Sequence, residues 1–155
     1  MILVADENSP YSHTGLIYIE KDKVFVIHAV PAEESWETEV IKIEPIKDFL
    51  RKDRTAAVAV YRPLKQYEKY ISVSVNTALK YAMNNTKFDS GFDLKDDSRL
   101  YCTELVWKAY LQAGLDLIDS QFDFLNVPLM KGYYILPGSL LKSRYLKNII
   151  SINFK

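Results

Sequence analysis

The sequence predicts a single α+β domain over residues 1–155, in which a mostly antiparallel, curved sheet packs against helices. Three observations lead to this prediction. The chain has 155 residues, of which 48% are hydrophobic, enough for one domain with its own core. Two β-rich segments are separated by only two charged residues, which is typical of an antiparallel hairpin. Two later segments carry apolar residues at spacings of three and four, which is typical of helices with one buried face.

The hairpin consists of segments 14–20 and 23–29, closed by a turn at Lys21 and Asp22. Neither segment alternates cleanly between apolar and polar residues, so both faces of the sheet should be covered, and helices must provide that cover. The remaining strands are predicted at 39–43, 55–61, 133–136 and 149–154.

Apolar periodicity predicts two long helices. The first stripe covers 64–83. The second covers 105–113 and ends at Gly114, a suitable residue for a left-handed C-terminal cap, with Ser98 as its candidate N-cap. A short helix at 45–52 precedes both, because proline suits a first helical turn.

Charge and hydropathy exclude several classes of function. The 20 basic and 20 acidic side chains cancel, so no net field attracts nucleic acid. No window approaches the ~18 uninterrupted apolar residues of a membrane-spanning helix, and the first ten residues lack the regions of a signal peptide. We expect no nucleic-acid partner and no transmembrane segment. The compartment stays open: exported if an upstream segment was trimmed, otherwise cytoplasmic. The oligomeric state stays open as well.

The residues best suited to chemistry are the scarcest: Cys102, His13 and His28. One cysteine cannot form an internal disulfide, and these three residues cannot by themselves fill a four-ligand structural zinc site. No metal or organic cofactor is expected.

The hairpin predicts where the two histidines lie. If a two-residue turn pairs Glu20 with Lys23, opposed residue numbers sum to 43, and Gly15 faces His28. Because side chains alternate in direction along a strand, His13 then shares that face and becomes a diagonal neighbour of His28. Gly15 leaves room beside them. A shift of one residue in register would separate the two rings.

Cys102 lies near the start of the second long helix, where unpaired N–H groups and the positive helix end favour a thiolate. A Cys–His couple is the minimal apparatus for acyl transfer, and His28 could orient His13. A backbone N–H beside the sulfur could stabilise an oxyanion. Activity should then fall below about pH 6, as the imidazoles protonate.

Structural interpretations stay open beside these. A lone cysteine on the apolar side of a helix is more often a small buried hydrophobe, and the histidines could serve packing alone. The acidic segment 86–98 lacks the spacing and central glycine of a calcium-binding loop, so it is predicted as a solvated loop.

Four motifs, taken in order, resemble a known family. They are YSHTG at 11–15, VIHA at 26–29, FDSGFD at 88–93 and LYCTELV at 100–106. Together they are similar to the YiiX-like branch of the permuted papain-fold cysteine peptidases and amidases, within the NlpC-type superfamily. The order of His before Cys is the reverse of papain, as a circular permutation implies.

The resemblance implies a permuted papain-like fold, with Cys102 as nucleophile and His13 as general base and acid. The third catalytic position, usually Glu in this family, corresponds to His28, as in the similarly permuted lecithin retinol acyltransferase relatives. It further implies a cysteine hydrolase that cleaves amide or ester bonds in small peptides or cell-wall fragments through an acyl-enzyme. The alternatives are a lipid acyltransferase or phospholipase, with a lipid acyl substrate, and a catalytically silent domain that binds a peptide or lipid.

Overall fold

A computed structural model describes residues 9–32, 38–51, 53, 55–128 and 130–154. Within these residues the chain forms nine strands and four α-helices. The strands are β1 (Leu16–Glu20), β2 (Lys23–Ala29), β3 (Ile41–Pro45), β4 (Ala57–Pro63), β5 (Lys87–Phe88), β6 (Arg99–Leu100), β7 (Asp123–Val127), β8 (Met130–Tyr134) and β9 (Leu146–Asn153). The helices are α1 (Ile46–Phe49), α2 (Ile71–Met83), α3 (Cys102–Ala113) and α4 (Pro137–Leu141), with a 3-10 helix over Lys65–Tyr70.

The predicted hairpin and its register are confirmed. Leu16 pairs with Ile27 and Glu20 with Lys23, so every paired set of residue numbers sums to 43. The turn residues Lys21 and Asp22 both have positive φ, 47° and 64°, which gives the turn the twist that a two-residue hairpin requires. This register fixes which side chains of β1 and β2 share a face.

The α+β class is confirmed, and the strands of the described residues form four separate sheets. β3 continues the hairpin sheet in the order β1-β2-β3, while β4 pairs with β9 and β7 with β8, all antiparallel. β5 and β6 form a short parallel pair. β3 extends two residues beyond its predicted end, to Pro45, which matters for the site below.

The helices differ from the prediction mainly at their beginnings. The stripe at 64–83 is a 3-10 helix followed by α2. α3 begins at Cys102, so the prediction of Ser98 as its N-cap is wrong: the Ser98 N–H and hydroxyl both bond to Asp96. Gly114 caps the C-terminus at φ 99°, as predicted.

The acidic segment is not simply a solvated loop. Asp89 is only 3% exposed, and its carboxylate accepts the N–H groups of Gly91 and Asp93. The buried carboxylate thus organises its own turn, because aspartate readily bonds backbone N–H groups a few residues on.

The core anchors the first turn of α3. Every residue from Thr103 to Tyr110 is buried, and α3 packs against α2 and β2. The Thr103 hydroxyl donates to the carbonyl of Ile135, and the Tyr101 hydroxyl accepts the N–H of the same residue. Tyr101 and Thr103, the neighbours of Cys102 in the chain, are therefore both hydrogen-bonded to the backbone of Ile135.

Candidate active site

Cys102 is the first residue of α3, and its sulfur lies beside the segment that precedes β1. The backbone N–H groups of Thr14, Thr103 and Cys102 face the sulfur, and each lowers the pKa of the thiol. Thr14 directly follows His13 in the chain. The helix start and the histidine segment thus meet, and three backbone donors surround the sulfur.

The two histidines are in contact, as the hairpin register predicted. His13 Nε2 and His28 Nδ1 are 2.9 Å apart, and the rings meet edge to face with centroids 5.1 Å apart. A Cβ atom on Gly15 would lie 2.6 Å from Cγ1 of Val26 and 2.8 Å from the carbonyl oxygen of Ile27. Glycine is therefore required here for the close approach of the strands.

Glu44 lies beside His28 and was not among the site residues predicted from the sequence. His28 Nε2 lies 2.7 Å from Glu44 Oε1, although this nitrogen has no partner in regular hydrogen-bond geometry, so the carboxylate acts as a nearby negative charge. Glu44 is opposite Val26 on β3, which places it on the same face as His28. The predicted third strand ended at residue 43. Continuing its antiparallel register by one residue could have found this carboxylate.

The contacts of His13 and His28 indicate which nitrogen of each imidazole carries the proton. Nε2 is the nitrogen of His28 that lies beside the negative charge of Glu44, so this charge favours the tautomer with its proton at Nε2. Nδ1 of His28 is then the acceptor for the N–H at Nε2 of His13. The remaining nitrogen of His13, Nδ1, is left with a free lone pair.

Burial keeps both rings neutral near pH 7. It lowers the pKa of His13 to about 4. It also lowers the pKa of His28 to about 3, with further contributions from the charges of His13 and Lys42. Phe49 packs against both rings, with centroids 5.7 Å and 5.0 Å away, and helps to exclude water.

The expectation that the helix start would favour a thiolate is wrong. The residue keeps some exposed surface, but the sulfur is surrounded by protein, and this burial raises the pKa of Cys102 to about 11. The hydrogen bonds from the N–H groups of Thr14, Thr103 and Cys102 lower it without overcoming the burial. The resting protein therefore combines a neutral thiol with neutral imidazoles.

A groove of about 1270 Å³ opens in front of the histidines. Its wall contains His13, Thr14, His28 and Glu44, and it continues along β1 and across to β4 and β9. Cys102 is not among the lining residues, but Thr14, whose N–H faces the sulfur, is one of them.

The described ranges contain neither a cluster of metal ligands nor a membrane-spanning helix. No three His, Cys, Asp or Glu side chains are grouped there as metal ligands. Nor does any helix in those ranges have the length and apolar character needed to cross a membrane.

Comparison with known proteins gives consistent results. Residues 3–149 match a family described as "Permuted papain-like amidase enzyme, YaeF/YiiX, C92 family". The chain is 30% identical over 152 residues to the uncharacterized protein YiiX of Escherichia coli K12, covering 92% of this chain and 64% of that protein. It also resembles the crystal structure of YiiX from Escherichia coli O157:H7, titled a metalloprotein. That likeness has a TM-score of 0.72 at 22% identity and covers 93% of this chain and 84% of the other.

Proposed function

This chain belongs to the YaeF/YiiX family of permuted papain-like amidases, and on that premise we propose that it is a cysteine hydrolase acting through an acyl-enzyme on Cys102. The bond cleaved is an amide or ester. The single observation that carries the proposal is the contact chain from the sulfur, through the Thr14 segment, to the His13–His28 pair and Glu44. The family supports the amidase chemistry, and the contacts support the residues.

In the proposed reaction, His13 Nδ1 takes the thiol proton while the sulfur forms a bond to the substrate carbonyl carbon. The bond from that carbon to the leaving amine or alcohol breaks, and His13 returns the proton to the leaving group. Water then attacks the thioester with His13 again as the base. The acid is released, and the thiol regains its proton.

Because the thiol and the imidazoles are neutral at rest, the surrounding groups must stabilise the charges that develop during attack. Charge forms on the sulfur and on the imidazole only during attack, because the pKa values of Cys102 and His13 favour the neutral pair. The backbone N–H groups at the sulfur favour the developing thiolate, and the negative charge of Glu44 favours the developing imidazolium. His28 and Glu44 act through His13, so they are positioning residues.

One observation favours a second candidate, a domain that binds its ligand without catalysis. The raised pKa of Cys102 is what an inert, buried thiol would show. The two candidates differ in whether His13 increases the reactivity of the sulfur.

The test is turnover on a panel of N-acylated amino acids, muropeptides and phospholipids, with Cys102→Ser as the comparison. Cys102 is the only cysteine in the chain, so the variant removes every thiol and needs no correction for others. The hydrolase predicts turnover that is lost in the variant. No turnover above background in either protein, together with an alkylation rate of Cys102 that His13→Ala leaves unchanged, would support the silent binder.

A further inference from the structure

The two neighbours of Cys102 in the chain are hydrogen-bonded to one buried residue of a distant segment. The Thr103 hydroxyl donates to the Ile135 carbonyl at 2.5 Å, and the Tyr101 hydroxyl accepts the Ile135 N–H at 2.9 Å. Tyr101, Thr103 and Ile135 are 3%, 1% and 1% exposed, so water cannot easily replace either bond. One bond runs in each direction, and together they restrict both the position and the orientation of the residue between them.

Ile135 lies in a segment that is itself anchored. It directly follows β8, and the N–H of the next residue, Leu136, donates to Asp123 Oδ2 at 2.9 Å. The same carboxylate oxygen accepts the hydroxyl of Ser139, in α4, at 2.6 Å. Asp123 is the first residue of β7 and pairs with Tyr134, the last residue of β8. The β7–β8 hairpin therefore holds the backbone to which the two hydroxyls bond.

The backbone at the start of α3 does not by itself fix the sulfur against the rest of the protein. The first N–H groups of a helix have no partner within the helix. Those of Cys102 and Thr103 face the sulfur, and the Tyr101 N–H reaches Glu104 Oε2 only at 3.4 Å, beyond the usual range. The hydrogen bonds that connect this turn to another segment of the chain are those of the two hydroxyls to Ile135.

A small displacement of this turn would change the site. The Thr14 N–H faces the sulfur from the segment before β1, and Thr14 directly follows His13, the proposed base. The distance from the sulfur to the base therefore depends on where α3 begins relative to that segment. Displacing a reacting atom by ~1 Å can lower a rate by about a hundredfold.

We propose that the hydroxyls of Tyr101 and Thr103 make these two residues positioning residues for the nucleophile, because they hold the Cys102 sulfur beside the Thr14 N–H and within reach of His13. The inference rests on the hydrolase proposed above. Both hydroxyls bond to Ile135 in the core, so neither contacts the substrate or the reacting atoms. Their effect is on the rate of acylation, not on the binding of substrate.

The experiment measures acylation of Cys102 by p-nitrophenyl acetate before the steady state. Thr103→Val keeps the branched shape of the side chain but leaves the Ile135 carbonyl without its donor. The acylation rate constant at saturating ester should fall by roughly tenfold to a hundredfold. The ester concentration at half saturation should stay unchanged, because no group that contacts the ester is altered.

Two further variants separate the hydroxyl from the rest of the side chain. Thr103→Ser retains the hydroxyl and should recover most of the rate that Thr103→Val loses. Tyr101→Phe removes the acceptor of the Ile135 N–H and should slow acylation as Thr103→Val does.

Ser74→Ala is the matched control. Ser74 is also buried, and its hydroxyl donates to the Tyr70 carbonyl at 2.8 Å, but it lies on α2, which carries none of the proposed site residues. The variant removes the same kind of bond, so a loss that follows from lower stability alone should appear in it as well. Urea unfolding measures the stability of each variant, and Ser74→Ala should be acylated at the native rate.

Alkylation of Cys102 by iodoacetamide reports the surroundings of the sulfur without turnover. The Thr103 N–H lowers the pKa of the thiol, so moving that N–H away should raise the pKa. Below its pKa a thiol reacts in proportion to its thiolate fraction, so alkylation of Thr103→Val at pH 8 should be about threefold slower than that of the native protein. Ser74→Ala should be alkylated at the native rate.

The outcomes distinguish the positioning role from the hydrolase. Native rates of acylation and alkylation in both Thr103→Val and Tyr101→Phe would overturn the positioning role and leave the hydrolase standing. A loss of acylation in Ser74→Ala as large as that in Thr103→Val would do the same, since it would reflect general destabilisation. If none of the proteins is acylated, yet alkylation slows in Thr103→Val and not in Ser74→Ala, the hydrolase is overturned and the hydroxyls still position the sulfur.

Discussion

Two clusters of ionisable side chains lie close to Cys102, and each has two enclosed members and one more exposed carboxylate. The imidazole cluster consists of His13, His28 and Glu44, and the carboxylate–lysine cluster consists of Asp97, Glu104 and Lys108. In the second, Lys108 Nζ lies 3.0 Å from Glu104 and 2.5 Å from Asp97. Opposite charges are paired there, whereas the two imidazoles of the other cluster are neutral and open on the groove.

The difference shows what burial does in each case. Burial raises the pKa of Glu104 to about 7 despite the attraction of Lys108, and Glu104 accepts the Tyr101 N–H at the start of α3. Burial lowers the pKa values of both histidines. The ion-paired cluster serves to hold the helix, while the neutral imidazoles that face a groove are available for proton transfer.

The largest expected effect is on activity alone. His13→Ala should lower kcat/KM by about a thousandfold, since it removes a general base, and should change the free energy of unfolding little. Steady-state kinetics and urea unfolding of the same variant measure the two effects. Loss of folding together with activity would remove the distinction between the clusters.

The second-largest expected effect is on the free energy of unfolding. Glu104→Ala should reduce the free energy of unfolding by about 3 kcal/mol, because it leaves the Lys108 charge partly buried and the Tyr101 N–H without its acceptor. Glu104→Gln is the control, since an amide oxygen can still accept that N–H. If both variants unfold at the same urea concentration as the native protein, the cluster does not hold α3.

A third variant connects stability to the site. Gly15→Ala places a methyl group against Val26 and the Ile27 carbonyl and should cost about 2 kcal/mol while displacing His13 from His28. Gly91→Ala is the matched control, because its Cβ would meet only Asp89 Oδ1, at 3.3 Å. Thermal unfolding and kcat/KM should both fall for the first variant and stay near native for the second.

The pH dependence of activity should differ from the expectation based on the sequence, which was that activity falls below about pH 6. Because the pKa of His13 is about 4, the base stays neutral at pH 5, and activity should persist there and decline toward pH 4. The histidines have lowered pKa values, so their contribution to stability is present above the ordinary value of 6.5 and is lost as pH falls toward 4 and 3. A pH–rate profile together with unfolding at each pH checks both.

The contribution of Glu104 to stability changes with pH in the opposite direction to that of the histidines. Its pKa is raised from 4.5 to about 7, so the stability that it contributes is present below 4.5 and is lost as pH rises through 7. Glu104→Gln should therefore flatten the stability profile between pH 4.5 and 7 and leave the profile below pH 4.5 unchanged. A variant profile that follows the native one at every pH would contradict the assignment.

The smallest effect concerns Glu44. Glu44→Gln should lower kcat/KM by about tenfold, the effect of one unit on the pKa of the base. It should also move the acid limb of the pH–rate profile to lower pH, because a negative charge beside His28 is lost. Glu44→Asp should recover part of the rate. A drop in rate with an unmoved limb would indicate a structural role only.

Part of this site could be predicted from the sequence, and the reasons are local. The two-residue turn at Lys21 and Asp22 fixes the hairpin register, and that register alone brings His13 to His28. Glu44 was missed because the predicted third strand ended one residue before it, at residue 43, whereas β3 continues to Pro45. The pKa of Cys102 depends on burial by distant parts of the chain, which no helix-end argument contains.

The groove likewise could not be predicted, because the ladder of β4 and β9 joins segments about ninety residues apart. Ile150 and Val60 share a wall only once those strands pair. The fold class needed less information, since the hairpin and the two apolar stripes are short-range patterns.

The most direct measurement of the central claim is the intact mass of the protein, quenched in acid during turnover of p-nitrophenyl acetate. The proposed mechanism predicts a mass increase of one acetyl group, located on Cys102 by peptide mapping, and much slower to appear in His13→Ala. Acetylation elsewhere in the chain, or on Cys102 at the same rate without His13, would contradict it.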